Sequence, residues 1–294
     1  MSYTYTVSIP HYNSPHLLKR MLKSIPERED IQVIVIDDGS SAENVNVIKT
    51  LQHKNLELVL LAENKGGGHA RNEGLRRAAG KWFVSVDSDD FFSEDAFEVF
   101  DQYKDEEIEC LYYCVQCIDA ETGVVTRELK SDIMVRKYLD APSEKTEKYL
   151  RFHNRESWNK LVSMKFIRDN NICYENCRVN IDVFYALSIG LKVKKYKAIH
   201  NKLYFFTENS NSITHKKRNL EREFQFFLQV QKRNGFYEKL GLKHYPFYRR
   251  TILYIPHMLK KRGLSDTIKF FKMIKERKQE ITEARKAYLY LFDE

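Results

Sequence analysis

The sequence IQVIVIDDGS, residues 31–40, decides the fold. Its first six residues are apolar except for one glutamine, and the run ends at two aspartates, Asp37 and Asp38. A short run that is apolar at successive positions is typical of a strand buried on both faces, as in a parallel sheet. The sequence KWFVSVDSDD, residues 81–90, repeats the pattern with a strand that ends at Asp87.

Helical segments separate strands of this kind along the first 105 residues. The strands YTVSIP and LELVLL begin at Tyr5 and Leu56, and helical spacing follows in LLKRMLKSI (17–25) and HARNEGLRRAA (69–79). Alternating strands and helices indicate a parallel sheet with right-handed crossovers. The predicted fold is therefore α/β, with a mostly parallel central sheet flanked by helices and a Rossmann-like nucleotide-binding half.

Polar side chains follow each of these four strands. In an open parallel sheet, ligands bind outside the carboxyl ends of the strands, near the point where the strand order reverses. We therefore expect four polar groups to converge on one edge of the sheet: His11 to Asn13, Asp37 to Ser40, Asn64 to Gly68, and Asp87 to Asp90.

The most informative group is Asp87-Ser88-Asp89-Asp90. Carboxylates spaced D-x-D at a strand end are hard oxygen ligands that suit Mg²⁺ or Mn²⁺, and these ions bridge to substrate phosphates. An alternative is that Asp90 or Ser93 simply caps the next helix. Capping does not account for Asp87 and Asp89, so the pattern predicts a divalent metal site.

Two further groups favour a nucleotide ligand. Asp38 is suited to accept a hydrogen bond from a base or ribose, although a turn with Ser40 capping a helix explains the same residues equally well. The glycine-rich loop before Arg71 allows a phosphate to approach a helix start closely. It matches neither G-x-G-x-x-G nor the Walker P-loop, which disfavours dinucleotide binding and ATP hydrolysis.

Taken together, VSIPHYN, VIVIDDGS and NKGGGHARNEGLRRAAGKWFVSVDSDD resemble the family 2 inverting glycosyltransferases of the GT-A fold, in the family's order and approximate spacing. The resemblance covers residues 4–95. It implies that Tyr12 and Asp38 surround the base and Arg71 lies near the nucleotide. It implies a metal site of Asp87 and Asp89, with Asp89 in direct contact and Asp90 as a further ligand. The donor site implied comprises Pro10, Tyr12, Asn13, Asp38, Gly67, Arg71, Asp87, Ser88 and Asp89.

A weaker resemblance continues through residues 156–187, which look like the family's acceptor-side segment of W-x-K-L followed by an acidic pair. Here the pair reads Ile181-Asp182, which makes Asp182 the implied catalytic base. Glu175 is the reserve candidate. The alternative is that Asp182 only stabilises the start of a helix.

Other residues in this half of the chain have looser assignments. Trp158 and Lys160 are candidates for acceptor or phosphate contact, although a tryptophan among apolar residues is more often part of a core. The segment ENSNSITHKK resembles a family segment near the donor diphosphate, with His215 and Lys216 as sources of positive charge.

The composition predicts the cellular location of the protein. No apolar run is long enough to span a membrane, and the first residues do not resemble a signal peptide, so we expect a cytoplasmic protein. The five cysteines fit reduced thiols. A zinc site is the alternative, because Cys114-x-x-Cys117 and Cys173-x-x-x-Cys177 have ligand-like spacing. However, Cys114 and Cys117 lie in a predicted strand, where residues three apart point to opposite faces.

Charge divides the chain unevenly. Residues 216–294 contain 20 Lys plus Arg against 9 Asp plus Glu, whereas residues 1–215 contain 29 against 32. We predict a catalytic domain over 1–215, with a nucleotide-sugar half (1–105) and an acceptor half (106–215), and a basic helical extension over 216–294. The extension is suited to anionic lipid at the inner face of a membrane, or its apolar residues pack on the catalytic domain.

With the family resemblance, these observations predict an enzyme that transfers a sugar from a nucleotide sugar, with UDP as the expected nucleotide, to an acceptor hydroxyl of a glycan or lipid-linked glycan in surface polysaccharide synthesis. The alternatives are a sugar-phosphate nucleotidyltransferase, whose basic glycine-rich amino-terminal loop is missing, and a non-catalytic nucleotide-sugar or glycan binding protein. Specific nucleic-acid binding is disfavoured, because the first 215 residues are net acidic.

Overall fold

The structure is a computed structural model that describes residues 3–177, 179–208 and 219–292. They divide into two compact units, one within Met1–Ser212 and one within Ile213–Glu294. The predicted boundary between residues 215 and 216, together with His215 and Lys216, lies outside the described residues.

The first unit contains eight strands and eight helices in the described residues. The strands are β1 (Tyr5–His11), β2 (Ile31–Asp37), β3 (Leu56–Leu60), β4 (Trp82–Ser85), β5 (Phe91–Phe92), β6 (Cys110–Asp119), β7 (Lys160–Ser163) and β8 (Tyr196–Glu208). The helices are α1 (Pro15–Lys23), α2 (Ala42–Ile48), α3 (Gly67–Arg77), α4 (Ala96–Asp101), α5 (Lys130–Asp140), α6 (Glu144–Phe152), α7 (Met164–Asp169) and α8 (Asp182–Lys192).

All eight strands form one mixed sheet in the order β3-β2-β1-β4-β7-β6-β8-β5. The first four are parallel, as predicted, and β6 is also parallel to β8. The other pairings, β4 with β7, β7 with β6, and β8 with β5, are antiparallel. The strand order reverses at β1, because β2 lies on one side of it and β4 on the other. The carboxyl ends of these three parallel strands therefore meet at one edge of the sheet.

Both faces of the sheet are covered, which explains the continuous apolar strands. On β2, Val33 and Val35 join a core cluster that contains residues of α1 and α4, whereas Ile34 and Ile36 pack with Ala70 of α3. The successive side chains from Val33 to Ile36 therefore have apolar surroundings on both faces, and the whole strand is buried. Burial on both faces fixes the register and hence the position of the strand ends.

Residues 123–127 contain two adjacent valines, a residue type that favours strands, but they do not form a strand. The segment makes only an isolated bridge between Ile118 and Val125 in the described residues, and the side chain of Asp119 accepts hydrogen bonds from the amides of a turn. Val124 and Val125 are 63% and 57% exposed. A valine pair with nothing to pack against does not hold a strand.

The cysteines of β6 have the arrangement expected of a strand. Cys114 packs in the cluster that contains α3 and α8 residues, and Cys117 packs in the cluster of α1 and α4. Burial raises the pKa of both thiols, with that of Cys114 raised to about 12. These two side chains therefore cannot share a metal ion.

The second unit is helical. It comprises α9 (Leu220–Lys239), α10 (Tyr254–Glu276) and α11 (Lys278–Lys286), with short 3-10 turns at Thr251–Leu253 and Leu289–Phe292. Its core is aromatic, built around Phe224, Phe227 and Phe270. Within the residues described, no helix has both the length and the apolar character needed to cross a bilayer.

Candidate functional site

The end of β1 is joined to the turn after β2 by side-chain hydrogen bonds. His11 Nε2 accepts the Ser14 amide, so Nδ1 carries the hydrogen and donates to Asp37 Oδ1 at 2.8 Å. Asp37 also accepts the amide and the hydroxyl of Ser40. Asn13 Oδ1 accepts the Ser41 amide at 2.9 Å. Asp37 and Asn13 therefore hold the predicted nucleotide-binding turns together.

Asp38 joins the same turn to the glycine-rich loop. Its two carboxylate oxygens accept the amides of Lys65 and Gly66, each at 2.8 Å. Gly39 has φ 71°, and a Cβ there would lie 2.6 Å from the backbone of Asn64, so only glycine fits this close approach. Asp38 thus positions the loop that leads into α3.

Gly67 is the first residue of α3 and lies against Arg71. A Cβ on Gly67 would be 3.0 Å from the Arg71 guanidinium and 3.1 Å from the Ile181 side chain. The first amides of a helix lack intrahelical acceptors and attract anions. The loop therefore presents a helix start and an arginine at the same place.

The acidic loop after β4 is held by β8. Tyr204 Oη accepts the Asp87 amide at 3.0 Å and donates to Asp90 Oδ2 at 2.7 Å. Thr207 donates its amide to Asp90 Oδ1 at 2.7 Å and its hydroxyl to the Asp89 carbonyl at 2.5 Å. Arg20 of α1 donates to the same carbonyl. The backbone of the loop is therefore fixed from two sides.

Arg71 connects the acidic loop to the predicted base. Its Nη2 donates to Asp87 Oδ1, and its Nε lies 3.4 Å from Asp182 Oδ1. Arg71 is only 7% exposed, and its guanidinium carbon is 5.8 Å from the centre of the Tyr174 ring. Although burial opposes the charge, Asp182 and Asp87 raise the pKa of Arg71 above its ordinary value. A permanently charged arginine thus lies between two carboxylates.

Burial and mutual repulsion act on the remaining carboxylates. Desolvation, followed by the charge of Asp87, raises the pKa of Asp89 to about 6. Desolvation raises the pKa of Asp182 to about 6, although Arg71 lowers it, and Asp182 Oδ1 is buried without a hydrogen-bond partner. Burial and its acidic neighbours raise the pKa of Asp90 well above the usual range. Adding positive charge here would relieve these costs.

The three aspartates also fit a divalent ion by geometry. Asp87, Asp89 and Asp90 each offer one carboxylate oxygen, and these three oxygens lie within 4.8 Å of one another. Within the described residues, these aspartates form the cluster of potential metal ligands. Asp90 is fully buried and both of its oxygens already accept hydrogen bonds. Asp87 and Asp89 are partly exposed, so they are the better placed ligands.

The other predicted residues differ in their surroundings. Tyr12 is 50% exposed at the end of β1, Pro10 is partly buried, and Ser88 is 9% exposed. Asp182 is the first residue of α8, the position that the helix-start interpretation requires, and it also lies beside Arg71. Glu175 lies nearby, with its carbonyl 2.2 Å from where a Gly68 Cβ would be.

Trp158 and Lys160 are core residues. Trp158 is 5% exposed and stacks on Tyr204, with ring centres 5.4 Å apart. The Lys160 ammonium is buried and donates to the side chains of Asn154 and Asn159. Burial lowers the pKa of Lys160 to about 8. Both side chains are therefore largely shielded from solvent.

Two predicted helix caps are wrong. Ser41, not Ser40, caps α2, because Ser40 donates its hydroxyl to Asp37. α4 has no side-chain cap, since Ser93 donates to Asp95 and the carboxylate of Asp90 accepts hydrogen bonds from Tyr204 and Thr207. Sequence reasoning also missed Tyr204, Thr207 and Arg20, because no local pattern marks residues that act on a distant loop.

Comparison with known proteins supports the family. Residues 6–169 match the sequence model for Glycosyl transferase family 2. The chain is 25% identical over 253 residues to chondroitin synthase of Escherichia coli, covering 84% of this chain and 34% of that protein. It is 23% identical over 209 residues to poly(ribitol-phosphate) β-N-acetylglucosaminyltransferase TarS of Staphylococcus aureus, covering 69% and 35%. The chain thus spans about a third of the length of these relatives.

Solved structures support the fold. Residues 1–349 of S. aureus TarS in complex with UDP-GlcNAc align with a TM-score of 0.69 at 17% identity, covering 97% of this chain and 83% of that one. A mannosyltransferase of Pyrobaculum calidifontis in complex with GDP-Man and Mn²⁺ aligns at 0.54 and 14% identity, covering 99% and 86%. The predicted GT-A fold is confirmed, and because the family model matches more than half of its residues, the chain belongs to glycosyl transferase family 2.

Proposed function

We propose that the chain is an inverting, metal-dependent glycosyltransferase that moves a sugar from a nucleotide sugar, with UDP as the nucleotide, to an acceptor hydroxyl. One observation carries the proposal. Arg71 contacts both Asp87, at the predicted metal site, and Asp182, the predicted base. A single buried side chain thus sets the distance between the diphosphate end of a donor and the group that would activate the acceptor.

The donor would lie along the edge formed by the ends of β1, β2 and β4. The half-exposed ring of Tyr12 is suited to stack on a base. Asp38 fixes the loop before α3, and carboxylate oxygens retain lone pairs for a ribose or base donor. The start of α3 and Arg71 would face the diphosphate.

Asp87 and Asp89 would hold Mn²⁺ or Mg²⁺, with Asp90 as a buried neighbour. When bound, the ion neutralises the negative charge that the leaving diphosphate gains. The raised pKa of Asp89 reflects carboxylates that have been placed together in a poorly solvated site. This cost is expected at a site built for a cation.

Asp182 would act as the general base. As the acceptor oxygen forms a bond to the anomeric carbon and the bond to the diphosphate breaks, Asp182 would take the hydroxyl proton. With a pKa of about 6, Asp182 is a stronger base than an ordinary aspartate, and it is still ionised at neutral pH. A single displacement of this kind inverts the anomeric configuration.

Thermal shift and calorimetry with UDP, GDP and their common sugars, with and without Mn²⁺, test the proposal. We expect one nucleotide to stabilise the protein in a metal-dependent way, and Asp89→Ala to abolish the effect while Asp95→Ala, an exposed aspartate, leaves it intact. Absence of a response to every nucleotide would favour a non-catalytic glycan-binding protein. Release of pyrophosphate from a sugar phosphate and a nucleoside triphosphate would favour a nucleotidyltransferase.

We further propose that the acceptor is a surface polysaccharide or a lipid-linked glycan, and that the second unit binds the inner face of a membrane from the cytoplasm. Ile252, Leu264 and Ile268 of this unit are 66%, 67% and 61% exposed. Residues 249–275 contain eight Lys plus Arg and one acidic residue, Asp266. Exposed aliphatic groups beside many cations suit an anionic lipid surface.

Sedimentation with phosphatidylglycerol and phosphatidylcholine vesicles tests this association. We expect binding to phosphatidylglycerol vesicles at low salt, weakened by the double variant Leu264→Ser and Ile268→Ser. A matched double change of two exposed valines in the first unit, Val124→Ser and Val125→Ser, should leave it unchanged. Equal loss in both variants, or no binding, would contradict the membrane role.

A further inference from the structure

A groove of about 770 Å³ lies on the first unit, beside the acidic loop. Its walls come from the last turn of α1 and from β5 and β8 at the edge of the sheet, and its lining includes Arg20, Lys23, Phe91, Glu94 and Phe205. None of these residues belongs to the donor site or the base proposed above.

Two aromatic rings form one wall of the groove. Phe91 and Phe205 are paired across β5 and β8, and their rings stack with centres 5.0 Å apart and an interplanar angle of 14°. Both are partly exposed, whereas their strand neighbours Phe92 and Tyr204 are buried. Phenylalanines that stay open to solvent at a concave surface offer apolar ring faces to a ligand that is itself apolar on one side.

The charges of the groove favour an anion. Its lining contains two cations, Arg20 and Lys23, and one carboxylate, Glu94. Across the described part of the chain, neither Arg20 nor Lys23 has a carboxylate partner within ion-pair distance, since Arg20 donates only to the Asp89 carbonyl and the Thr207 hydroxyl. The Arg20 guanidinium also lies 5.2 Å from the centre of the Phe91 ring. Two cations without carboxylate partners therefore stand beside the aromatic wall.

Arg20 connects the groove to the proposed metal site. Its guanidinium lines the groove and donates to the backbone of Asp89, and Thr207 donates to the same carbonyl. A ligand bound to Arg20 would therefore contact a side chain that also holds the acidic loop. A glycan that occupied the groove would reach the edge of the sheet where transfer is proposed to occur.

We propose that this groove is a subsite for the acceptor chain, and that it binds an anionic glycan through sugar or polyol carbons on Phe91 and Phe205 and through phosphate or carboxylate groups on Arg20 and Lys23. The subsite would hold a part of the acceptor distant from the reacting hydroxyl. The assignment rests on the proposed glycosyltransferase function and names the class of its acceptor.

Calorimetric titration of the full chain tests the subsite with three probes of matched length: a ribitol phosphate hexamer, a chondroitin hexasaccharide and neutral cellohexaose. We expect one of the two anionic probes to bind, and to bind more weakly as salt is raised. Lys23→Glu and Phe205→Ala should each weaken that binding by about tenfold or more. The arm that binds identifies phosphate or carboxylate as the recognised group.

Lys19→Glu is the matched control, because Lys19 lies on the same helix but does not line this groove. It should change binding of the anionic probe less than about twofold. UDP binding in the presence of Mn²⁺, measured on the same samples, reports on the donor site separately. If the wild-type chain does not bind UDP, the result would therefore count against the proposed function and not against the groove.

Three results would overturn the subsite. The first is that neither anionic probe binds. The second is that cellohexaose binds as tightly as the anionic probes do. The third is that Lys19→Glu weakens binding as much as Lys23→Glu does. Because Phe205→Ala removes a ring from the sheet edge, its melting temperature is measured first, and Lys23→Glu, on an exposed helix surface, decides the question if that variant is unstable.

Discussion

The two halves of the proposed site differ in how their polar groups are satisfied. In the turns that would hold the nucleotide, Asp37, Asp38 and Asn13 use their side-chain oxygens to bind neighbouring amides and hydroxyls. In the catalytic cluster, carboxylates face one another, the pKa values of Asp89 and Asp182 are raised to about 6, and an oxygen of Asp182 is buried without a hydrogen-bond partner.

The comparison distinguishes residues that stabilise the fold from residues that are proposed to take part in the reaction. The nucleotide turns are complete without a ligand, so substitutions there should weaken the fold. In the proposed catalytic cluster, the burial of neighbouring carboxylates lowers the stability of the fold until a cation and substrate bind. Substitutions there should therefore abolish activity, whereas the stability of the fold should stay the same or increase. Each prediction below tests one side of this division.

The largest effect is expected for Asp89→Ala. Because a proposed metal ligand is lost, kcat/KM should fall by about a thousandfold or more. Without metal, the melting temperature should stay the same or rise, because a desolvated carboxylate beside Asp87 has been removed. Activity assays and melting curves in a metal chelator measure both. A marked fall in melting temperature would contradict the division.

Asp182→Asn should be next in size. Loss of the general base should lower kcat about a hundred to a thousandfold, with UDP affinity unchanged within about twofold. Glu175→Gln is the matched control and should retain activity. If Glu175→Gln is the inactive variant and Asp182→Asn is not, the base is Glu175.

The pH dependence should follow the raised pKa of Asp182. Since the base must be ionised, kcat/KM should fall about tenfold per pH unit below about 6, and Asp182→Asn should lack this dependence. Stability should change in the opposite sense. The unfolded chain ionises near 3.8 and the folded chain near 6, so the free energy of unfolding should decrease as pH rises through this interval. Melting curves of the two proteins across this range provide the check.

Asp38→Ala tests the other half of the comparison. Two amides lose their carboxylate acceptor, so the free energy of unfolding should fall by about 2 kcal/mol, as measured by urea unfolding. Asp95→Ala, which removes a carboxylate from an exposed position, serves as the reference. An Asp38→Ala protein as stable as the wild type would show that the turn does not depend on this residue.

Tyr12→Ala should have the smallest effect. The ring is half exposed, so stability should change by less than about 0.5 kcal/mol. Loss of stacking on the base should still weaken UDP binding about tenfold. Unaltered UDP affinity in calorimetry would remove Tyr12 from the donor site.

Local patterns predicted the sheet edge well. The run that ends at Asp37 is a strand, and the run before Asp87 contains β4, which ends at Ser85. Both runs are largely apolar because a parallel sheet buries both faces. Asp182 could also be placed from its segment, and it does face Arg71. Its catalytic role, like the roles of the donor residues, stays a prediction.

The sequence could not predict what depends on distant contacts. Ser40 looked like the helix cap, but Asp37 takes its hydroxyl and Ser41 caps instead. Val124 and Val125 have strand-forming side chains but no surface to pack against. Tyr204 and Thr207 show no motif, because their partners are more than a hundred residues away along the chain.

The attachment of the acidic loop to β8 also has a consequence during protein synthesis. Tyr204 and Thr207 are made 114 and 117 residues after Asp90, their partner. Until they leave the ribosome, nothing from β8 fixes the loop, and three neighbouring carboxylates repel one another in the growing chain. We expect the nascent protein to gain metal affinity in one late step, after nearly all of the first unit has been translated.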